Sequence, residues 1–386
     1  MLIHTVKGGD DLFSIARKYS TYPQKLLSDN YPLSERLNEG DEILVLIPTK
    51  TANARGGDTV TSIAMRNGVK ESCLLRQNSE LIRGGLKPGQ TVTLKQSSPI
   101  LGAASAIGRY SPKYPISNLG EALPYLTYVA INGAQINEDG ISLFSGMGSA
   151  LQKCAEKGKV PLLEVADESG GEALISDTQR ENAINALIEI SKAQGFKGVV
   201  IRAREFAESH SAEYLDFLLS VRKKFLGCDL LLFTELFEGS PTDAADISDG
   251  AIFNTGIEDI RAVRKSLQKI ASATESSKIF VSVYTDTSLN GKVISFKDAR
   301  GIGSGRFSSV STDNESLIST VPIHRIENGR RVTGSISYPS LKYTKAKLEE
   351  LSELGFMGIS IDLRCLDNTR LCMFNAAFRR ADYELP

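Results

Sequence analysis

Tryptophan is absent from this chain of 386 residues, and histidine occurs only at His4, His210 and His324. So few imidazoles argue against a zinc centre built from His and Cys. Cysteine does not fill the gap. Cys73, Cys154, Cys228, Cys365 and Cys372 are odd in number and form no Cys-x-x-Cys pair, so they read as buried reduced thiols. No metal and no cofactor is expected. Excess charge is also missing: 45 Lys and Arg stand against 46 Asp and Glu, a formal net charge of −1. A dedicated nucleic-acid binder needs a basic footprint that displaces counterions from phosphates, which sets that class aside. No apolar run approaches the length that crosses a bilayer, so membrane insertion is not expected. The opening Met1 to Lys7 lacks the charged start and long apolar stretch of a secretory signal. The missing indole removes the largest flat apolar ring, although 12 Tyr and 15 Phe remain.

What is present begins with a repeat. Gly9-Asp10-Asp11-Leu12-Phe13-Ser14-Ile15-Ala16 recurs as Gly57-Asp58-Thr59-Val60-Thr61-Ser62-Ile63-Ala64, and Asn30 recurs as Asn78. Leu37 to Ile43 recurs as Leu86 to Val92. Self-similarity at a fixed spacing means two copies of one module. Each copy reads strand, helix, helix, strand. Ile3 to Val6 alternate as a strand does. The Gly-Asp pair turns the chain, and Asp10 or Asp11 can cap the next helix by accepting from its free N–H groups. Leu12, Ile15, Ala16 and Tyr19 then give that helix one apolar side. A short second helix is expected near Gln24 to Asp29, and a closing strand over Glu42 to Ile47, ended by Pro48.

The Gly-Asp turn, the Ser-Ile-Ala helix core, the Asn between helices and the Gly before the last strand, in that order and twice, resemble the LysM module. LysM modules bind N-acetylglucosamine-containing glycans such as peptidoglycan and chitin. The resemblance implies two βααβ units, at 1–48 and 51–95. It also implies a sugar groove between the first turn and the loop after the second helix. Carried onto this chain, the groove residues are Gly9, Asp10, Asp11 and Leu12 with Asn30, Tyr31 and Leu33. In the second copy they are Gly57, Asp58, Thr59 and Val60 with Asn78, Leu81 and Ile82. The plainer alternative is that these residues only make turns and caps, since Gly and Asn tolerate the left-handed backbone that turns need. The family's usual aromatic residue after the turn is Phe13 in the first copy and Thr61 in the second, so the second copy is expected to bind more weakly.

A hinge is read at 96–99, and 99–386 is long enough for one large α/β barrel. Strands are expected at Leu126 to Ile131, Val160 to Val165, Val199 to Ile201, Leu230 to Phe233, Gly250 to Phe253, Ile279 to Val283 and Gly358 to Leu363. Helices such as Ala212 to Phe225 lie between them. Gly195-Phe196-Lys197-Gly198-Val199-Val200-Ile201 is echoed by Gly355-Phe356-Met357-Gly358-Ile359-Ser360-Ile361. Alternating strands and helices imply a parallel sheet. The long run of them predicts an α/β fold, a closed (β/α)8 TIM-like barrel behind the two small modules.

The segments Tyr125 to Ile131, Ile136 to Gly140, Gly195 to Glu205 and Ser337 to Leu363 resemble the family 18 glycoside hydrolases. The similarity is to the branch joined to two LysM modules, which includes spore cortex-lytic and germination enzymes. That resemblance implies a catalytic stretch Asp-Gly-Val-Asn-Ile-Asp-Phe-Glu, whose last Glu protonates the glycosidic oxygen while the substrate's own acetamide serves as nucleophile. Here the stretch reads Lys197-Gly198-Val199-Val200-Ile201-Arg202-Ala203-Arg204, so Lys197, Arg202 and Arg204 stand where the family has acids. A guanidinium stays protonated and cannot cycle a proton near neutral pH. The family's Tyr and Asp of a later strand are replaced around Asn254, and its floor Trp by Asp362. Glu205, one residue past the family's Glu, is a further candidate acid: in a regular strand it would point away from the pocket, and a one-residue bulge would turn it inward.

Buried guanidinium groups need partners. Glu164, Asp167, Glu235, Asp286 and Asp362 sit at or near predicted strand ends. Either Arg202 and Arg204 pair with some of these and plug the pocket, or they hold an anionic ligand through forked hydrogen bonds. Three functional readings follow. One is a wall-binding protein with a non-catalytic barrel, and another a purely structural spore component. The third is a hydrolase with relocated carboxylates, Glu164 and Glu235. The expected partner is peptidoglycan or another N-acetylglucosamine-containing glycan. The expected location is the cell wall or the spore cortex or coat, reached without a recognisable signal peptide.

Overall fold

The computed structural model describes residues 1–30, 37–97, 101–256, 259–283, 287–289, 292–294, 309–327, 330–365 and 367–380. The first module pairs β1 (Leu2–Thr5) with β2 (Glu42–Val45) as an antiparallel ribbon, with helices α1 (Leu12–Lys18) and α2 (Pro23–Asp29) between them. Its core is Val6, Leu12, Ile15, Ala16, Leu26, Ile43 and Val45. The second module pairs β3 (Ile47–Asn53) with β4 (Thr91–Ser97), and carries α3 (Val60–Asn67), α4 (Glu71–Gln77) and α5 (Ser79–Gly84). Pro48 does not stop a strand as expected. It lies inside β3, at an irregularity in the pairing where a lost N–H is tolerated. Gln96 and Ser97, read as part of a hinge, belong to β4.

The repeated residues are consumed by the same local bonds in both modules. Gly9 and Gly57 adopt φ of +87° and +82°, which favours glycine. The next Asp closes the turn: Asp10 accepts from the Lys7 N–H at 2.8 Å, and Asp58 from the Arg55 N–H at 2.8 Å. Asp11 and Thr59 cap their helices in reciprocal capping boxes with Ser14 and Ser62. Asn30 and Asn78 are buried. Asn78 donates to the carbonyls of Leu74 (2.7 Å) and Thr93 (2.8 Å) and accepts from the Thr93 N–H (2.7 Å). Asn30 bonds Leu26 and Leu44 in the same way. One amide thus ties the helix end to the last strand, where unpaired backbone groups would be costly.

Eight parallel strands close the barrel: β5 (Gly102–Tyr110), β6 (Tyr128–Asn137), β8 (Val160–Asp167), β9 (Gly198–Arg202), β10 (Leu231–Leu236), β11 (Gly250–Phe253), β12 (Ile279–Val283) and β18 (Gly358–Asp362), with β5 paired to both β18 and β6. β7 (Gly140–Leu143) adds an antiparallel edge to β6. Between β12 and β18 the chain makes a separate antiparallel sheet of β13 (Thr287–Leu289), β14 (Lys292–Ile294), β15 (Ser311–Thr312), β16 (Ile318–Glu327) and β17 (Arg330–Pro339), and β19 (Phe378–Arg380) runs beside the start of β5. Seven barrel strands lie where the sequence places them. The eighth, β5, escapes the pattern because Gly102-Ala103-Ala104-Ser105-Ala106 has small side chains and little β-propensity. The Gly-Phe-x-Gly echo has two physical sources. Gly195 and Gly355 leave the preceding helices at φ of +83° and +69°. Gly198 and Gly358 open strands so close to their neighbours that a Cβ on Gly358 would lie 1.8 Å from the Ser105 carbonyl oxygen.

The modules are seated on the barrel. A Glu42 Oε2 accepts the N–H groups of Leu341 (2.6 Å) and Lys342 (3.2 Å) at the start of the helix Leu341–Glu353. Arg76 donates to the Asn375 side chain and the Pro124 carbonyl. Lys25, 1% exposed, bonds Asp29 at 2.8 Å and the Gln77 carbonyl at 2.9 Å, joining the two modules.

Two tests follow. Asn78→Ala orphans buried backbone groups, each worth about 1–3 kcal/mol, so it is expected to lower the thermal midpoint clearly, and an unchanged midpoint would refute the role given to this amide. Lys347 is buried in the helix Leu341–Glu353 and, among the described residues, donates only to neutral oxygens, the Thr255 hydroxyl (2.8 Å) and the Ser282 carbonyl (2.7 Å). Burial pushes its amine down to about 7. The unfolded chain then holds one more proton than the folded chain between about pH 7 and the ordinary lysine value, so stability rises with pH across that window. Lys347→Met is expected to raise the midpoint at and below neutral pH, with the gain shrinking as pH climbs above 7. A pH-independent difference would refute this.

Candidate functional site

The inward side chains of a barrel strand alternate with outward ones. Ile107, Tyr128, Ala130, Val160, Leu162, Val200, Phe233, Ile252 and Phe280 point inward and fill the lumen, with Tyr128, Phe233 and Phe280 in mutual ring contact. The next inward positions, two residues further along seven of the strands, are Arg109, Asn132, Glu164, Arg202, Glu235, Asn254 and Ser282, and Asp362 at the end of β18 stands opposite Arg109. The apolar plug therefore ends in a polar layer at the C-terminal mouth, where barrels of this kind carry their chemistry.

Four members of that layer form a closed ionic cluster. Arg109 Nε and Nη2 donate to Glu164 at 2.9 and 3.2 Å, and its Nη1 donates to Glu235 at 2.7 Å. Arg202 Nη1 donates to Glu164 at 3.1 Å, and its Nε to Glu235 at 3.1 Å. Each carboxylate binds both guanidinium groups, and the four charges sum to zero. Asn254 Nδ2 adds a 2.6 Å bond to Glu235, and the Ser282 hydroxyl donates to Asn254 Oδ1. Side-chain exposure is only 4% for Glu164 and 3% for Glu235. Burial acts to raise the Glu235 carboxyl, but Arg109 and Arg202 outweigh it and hold the group below the usual carboxylate range. Burial likewise acts against the charge on both arginines, yet the two carboxylates hold them above their ordinary value. A carboxyl held ionised in this way has no proton to give a leaving oxygen near neutral pH.

The remaining candidates separate. Arg204 does not enter the cluster. β9 ends at Arg202 and a short helix, Arg204–Ser209, begins. Arg204 therefore sits at the rim, paired with Glu208 at 2.8 Å and lying over the Phe237 ring. Strand parity also fails for Glu205, which is exposed in that helix beside Gly170. Lys197 is exposed at the opposite, N-terminal end of β9. Asp362 accepts from the Arg364 N–H at 2.8 Å. Asp167 binds its own loop at Ser169. Asp286 lies outside the described residues. Arg109 was missed by the sequence reading because its strand was missed. The sequence gives little signal for it, because Ile107, two residues earlier, is the only large apolar side chain between Gly102 and Arg109.

In the modules, Leu12 and Leu81 belong to the cores, Asn30 and Asn78 are spent on backbone bonds, and Ile82 is half-buried against the main core. Tyr31 and Leu33 lie outside the described residues. What remains toward solvent is the turn backbone at Gly9 and Gly57, the Asp11 and Thr59 caps, half-buried Val60, and Phe13, which is 71% exposed. Thr61, in the place of Phe13, donates its hydroxyl to Glu71 at 2.6 Å. Among the described residues no group of His, Cys, Asp and Glu is arranged to hold a metal ion, and no helix is long and apolar enough to cross a membrane.

Comparison with known proteins agrees with this architecture. The LysM domain model matches residues 4–45 and 55–95. The solved spore cortex-lytic enzyme SleL of Bacillus megaterium QM B1551 superposes with a TM-score of 0.77 at 18% identity, covering 99% of both chains. SleL of Bacillus cereus gives 0.76 at 17% identity, again over 99% of both. A chitinase of Chromobacterium violaceum gives 0.64 at 13% identity, over 71% of this chain and 98% of that one. YdhD of Bacillus subtilis (strain 168), named as a sporulation-specific glycosylase, is 24% identical over 234 residues, and the match spans 58% of this chain but only 55% of YdhD. The chain carries two LysM domains followed by a closed parallel barrel with the fold of the spore cortex-lytic enzymes and the chitinases.

Proposed function

We propose that this protein binds N-acetylglucosamine-containing wall glycan, peptidoglycan above all, through its LysM domains, and that its barrel does not cut it. The association is with the cell wall, and within that with the spore cortex or coat. The observation that carries the second half is the Arg109–Glu164–Arg202–Glu235 cluster. It fills the mouth where a sugar ring would have to sit, holds Glu235 ionised, engages both carboxylates with the same two guanidinium groups, and is costly to open. Removing one member of such a buried set strands its partners and costs about 3–5 kcal/mol. The competing reading, an N-acetylglucosaminidase using Glu164 and Glu235 as acid and base, needs one carboxyl protonated and one free to activate the nucleophile. Both are instead bound by the same two guanidinium groups.

Binding is assigned mainly to the first module, because Phe13 presents an open ring beside the Gly9 turn. A ring face and backbone groups around a turn suit a sugar with an apolar face and an acetamide. The Thr61 position offers no such face.

Incubation with purified cortex peptidoglycan, followed by sedimentation and mass spectrometry of the supernatant, tests the whole reading. The protein is expected in the pellet, with no muropeptides released above the blank. Release that Glu164→Gln or Glu235→Gln abolishes would establish the hydrolase instead. Phe13→Ala is expected to weaken sedimentation several-fold while Thr61→Ala leaves it unchanged, and equal effects would refute the ranking of the modules. Restoring acids through Arg202→Asp with Arg204→Glu is expected to yield no hydrolysis, because residue 204 has left the strand. Appearance of activity in that variant would show that the two substitutions alone silence the barrel.

A further inference from the structure

The two modules share a fold but not a charge. Residues 1–45 hold five Lys and Arg against seven Asp and Glu, whereas residues 46–97 hold eight against three. The three acids of the second module are already engaged. Asp58 pairs with Arg66, Glu71 accepts from the Thr61 hydroxyl, and Glu80 accepts from Gln90. Neither β3 nor β4 contains an acid. Four cations stand on this ribbon and on the turns at its end: Lys50, Arg55, Lys87 and Lys95. All four are exposed, and none has an ion-pair partner among the described residues.

Their placement is ordered. Lys50 and Lys95 are direct cross-strand partners, at the irregularity in the β3–β4 pairing. Like charges directly opposite on a ribbon repel and cost stability, a cost that an anion between them removes. Bulges of this kind recur where a side chain is re-aimed beside a site. Five residues further along, roughly 16 Å at the rise of a strand, Arg55 enters the Gly57 turn. The turn holding Lys87 joins it there: the Gly89 N–H donates to the Ala54 carbonyl at 2.8 Å, and the Ala54 N–H to the Gln90 carbonyl at 2.9 Å. Between the two pairs, Thr51 and Asn53 are exposed and neutral. The seam with the barrel uses other cations, Arg76 on Asn375 and Arg83 at 3.8 Å from Glu121. Two cation pairs this far apart suit a polymer with repeated negative charge better than one small anion. On peptidoglycan those charges are the carboxylates of the peptide stems, and chitin has none.

We propose that the β3–β4 ribbon of the second module is an electrostatic contact for the peptide-stem carboxylates of peptidoglycan, with Lys50 and Lys95 at one end and Arg55 and Lys87 at the other. It rests on the glycan-binding reading above and deepens it. The first module offers a ring face to the sugar, the second offers charge to the stems, and the pair selects a carboxylate-bearing wall polymer over uncharged chitin.

The test is sedimentation of the full chain, and of the double variant Lys50→Gln with Lys95→Gln, on three pellets: peptidoglycan, the same peptidoglycan with its carboxylates coupled to methylamine, and chitin. The variant is expected to bind native peptidoglycan about fivefold more weakly at low salt and to match the unmodified chain on the other two pellets. In about 1 M salt the difference is expected to vanish. Its thermal midpoint is expected to be no lower than that of the unmodified chain, since the substitutions remove a repulsion, and this separates lost contact from lost folding. Equal binding of the two chains to native peptidoglycan refutes the contact and leaves the lysines as guards of an open strand edge, while the glycan-binding reading stands. A loss that persists on the amidated pellet overturns the carboxylate assignment, and its disappearance after phosphodiester polymers are stripped with hydrofluoric acid would transfer the contact to those polymers. If the unmodified chain sediments with none of the three, both readings fall.

Discussion

Two arginines and two glutamates, each touching both members of the opposite sign, close the mouth of this barrel, and the polar order above the lumen depends on them. An isolated guanidinium at the Arg202 position would be untenable beside a packed aromatic plug. It is tolerated because Glu164 on one neighbouring strand and Glu235 on the other reach it from both sides, and because Arg109 across the lumen balances the second negative charge. The set extends outward through neutral groups: Glu235 to Asn254, Asn254 to Ser282, and the Ser282 carbonyl to the buried Lys347 amine. A change at one of these positions is therefore felt at the others.

Much of this was legible in the sequence. Seven barrel strands announced themselves as short apolar runs between helices, and the modules did so by repetition. The acids around Arg202 were legible because Glu164 and Glu235 lie at or near the ends of two of those runs. Two features were not legible. A strand made of glycine, alanine and serine carries no apolar contrast, so β5 and its Arg109 were invisible, and with them half of the positive charge in the cluster. The end of β9 was also beyond reach. Arg202-Ala203-Arg204 reads equally well as a continuing strand, and only the packed loop around Gly171 and the buried Phe206 shows that the chain turns into a helix there. Arg204 and Glu205 were misplaced for that one reason.

The modules teach a complementary lesson about motifs. Gly9, Asp10, Asp11 and Asn30, with their counterparts, form the most recognisable pattern in the chain, yet each has a local duty: a left-handed turn, a closed turn, a cap, a strand tie. Residues that recur for the sake of folding mark where a site is without forming its chemistry. What those duties leave exposed is the backbone around the turns and Phe13.

The absent indole now has a physical setting. In the modules its loss is tolerable, because an exposed phenylalanine keeps a ring face and backbone groups supply polar contacts. In the barrel the matching position is Asp362, which adds negative charge at the rim of a layer already neutral. Stacking a sugar there would require removing an aromatic floor's worth of water without a ring to replace it, and opening the ion pairs among Arg109, Glu164, Arg202 and Glu235. Each change alone would weaken a glycosidase. Together they are what supports the proposal of a barrel that does not cut, while Gly198, Val199 and Ile201 pair with β8 and β10 and keep the barrel closed beneath them.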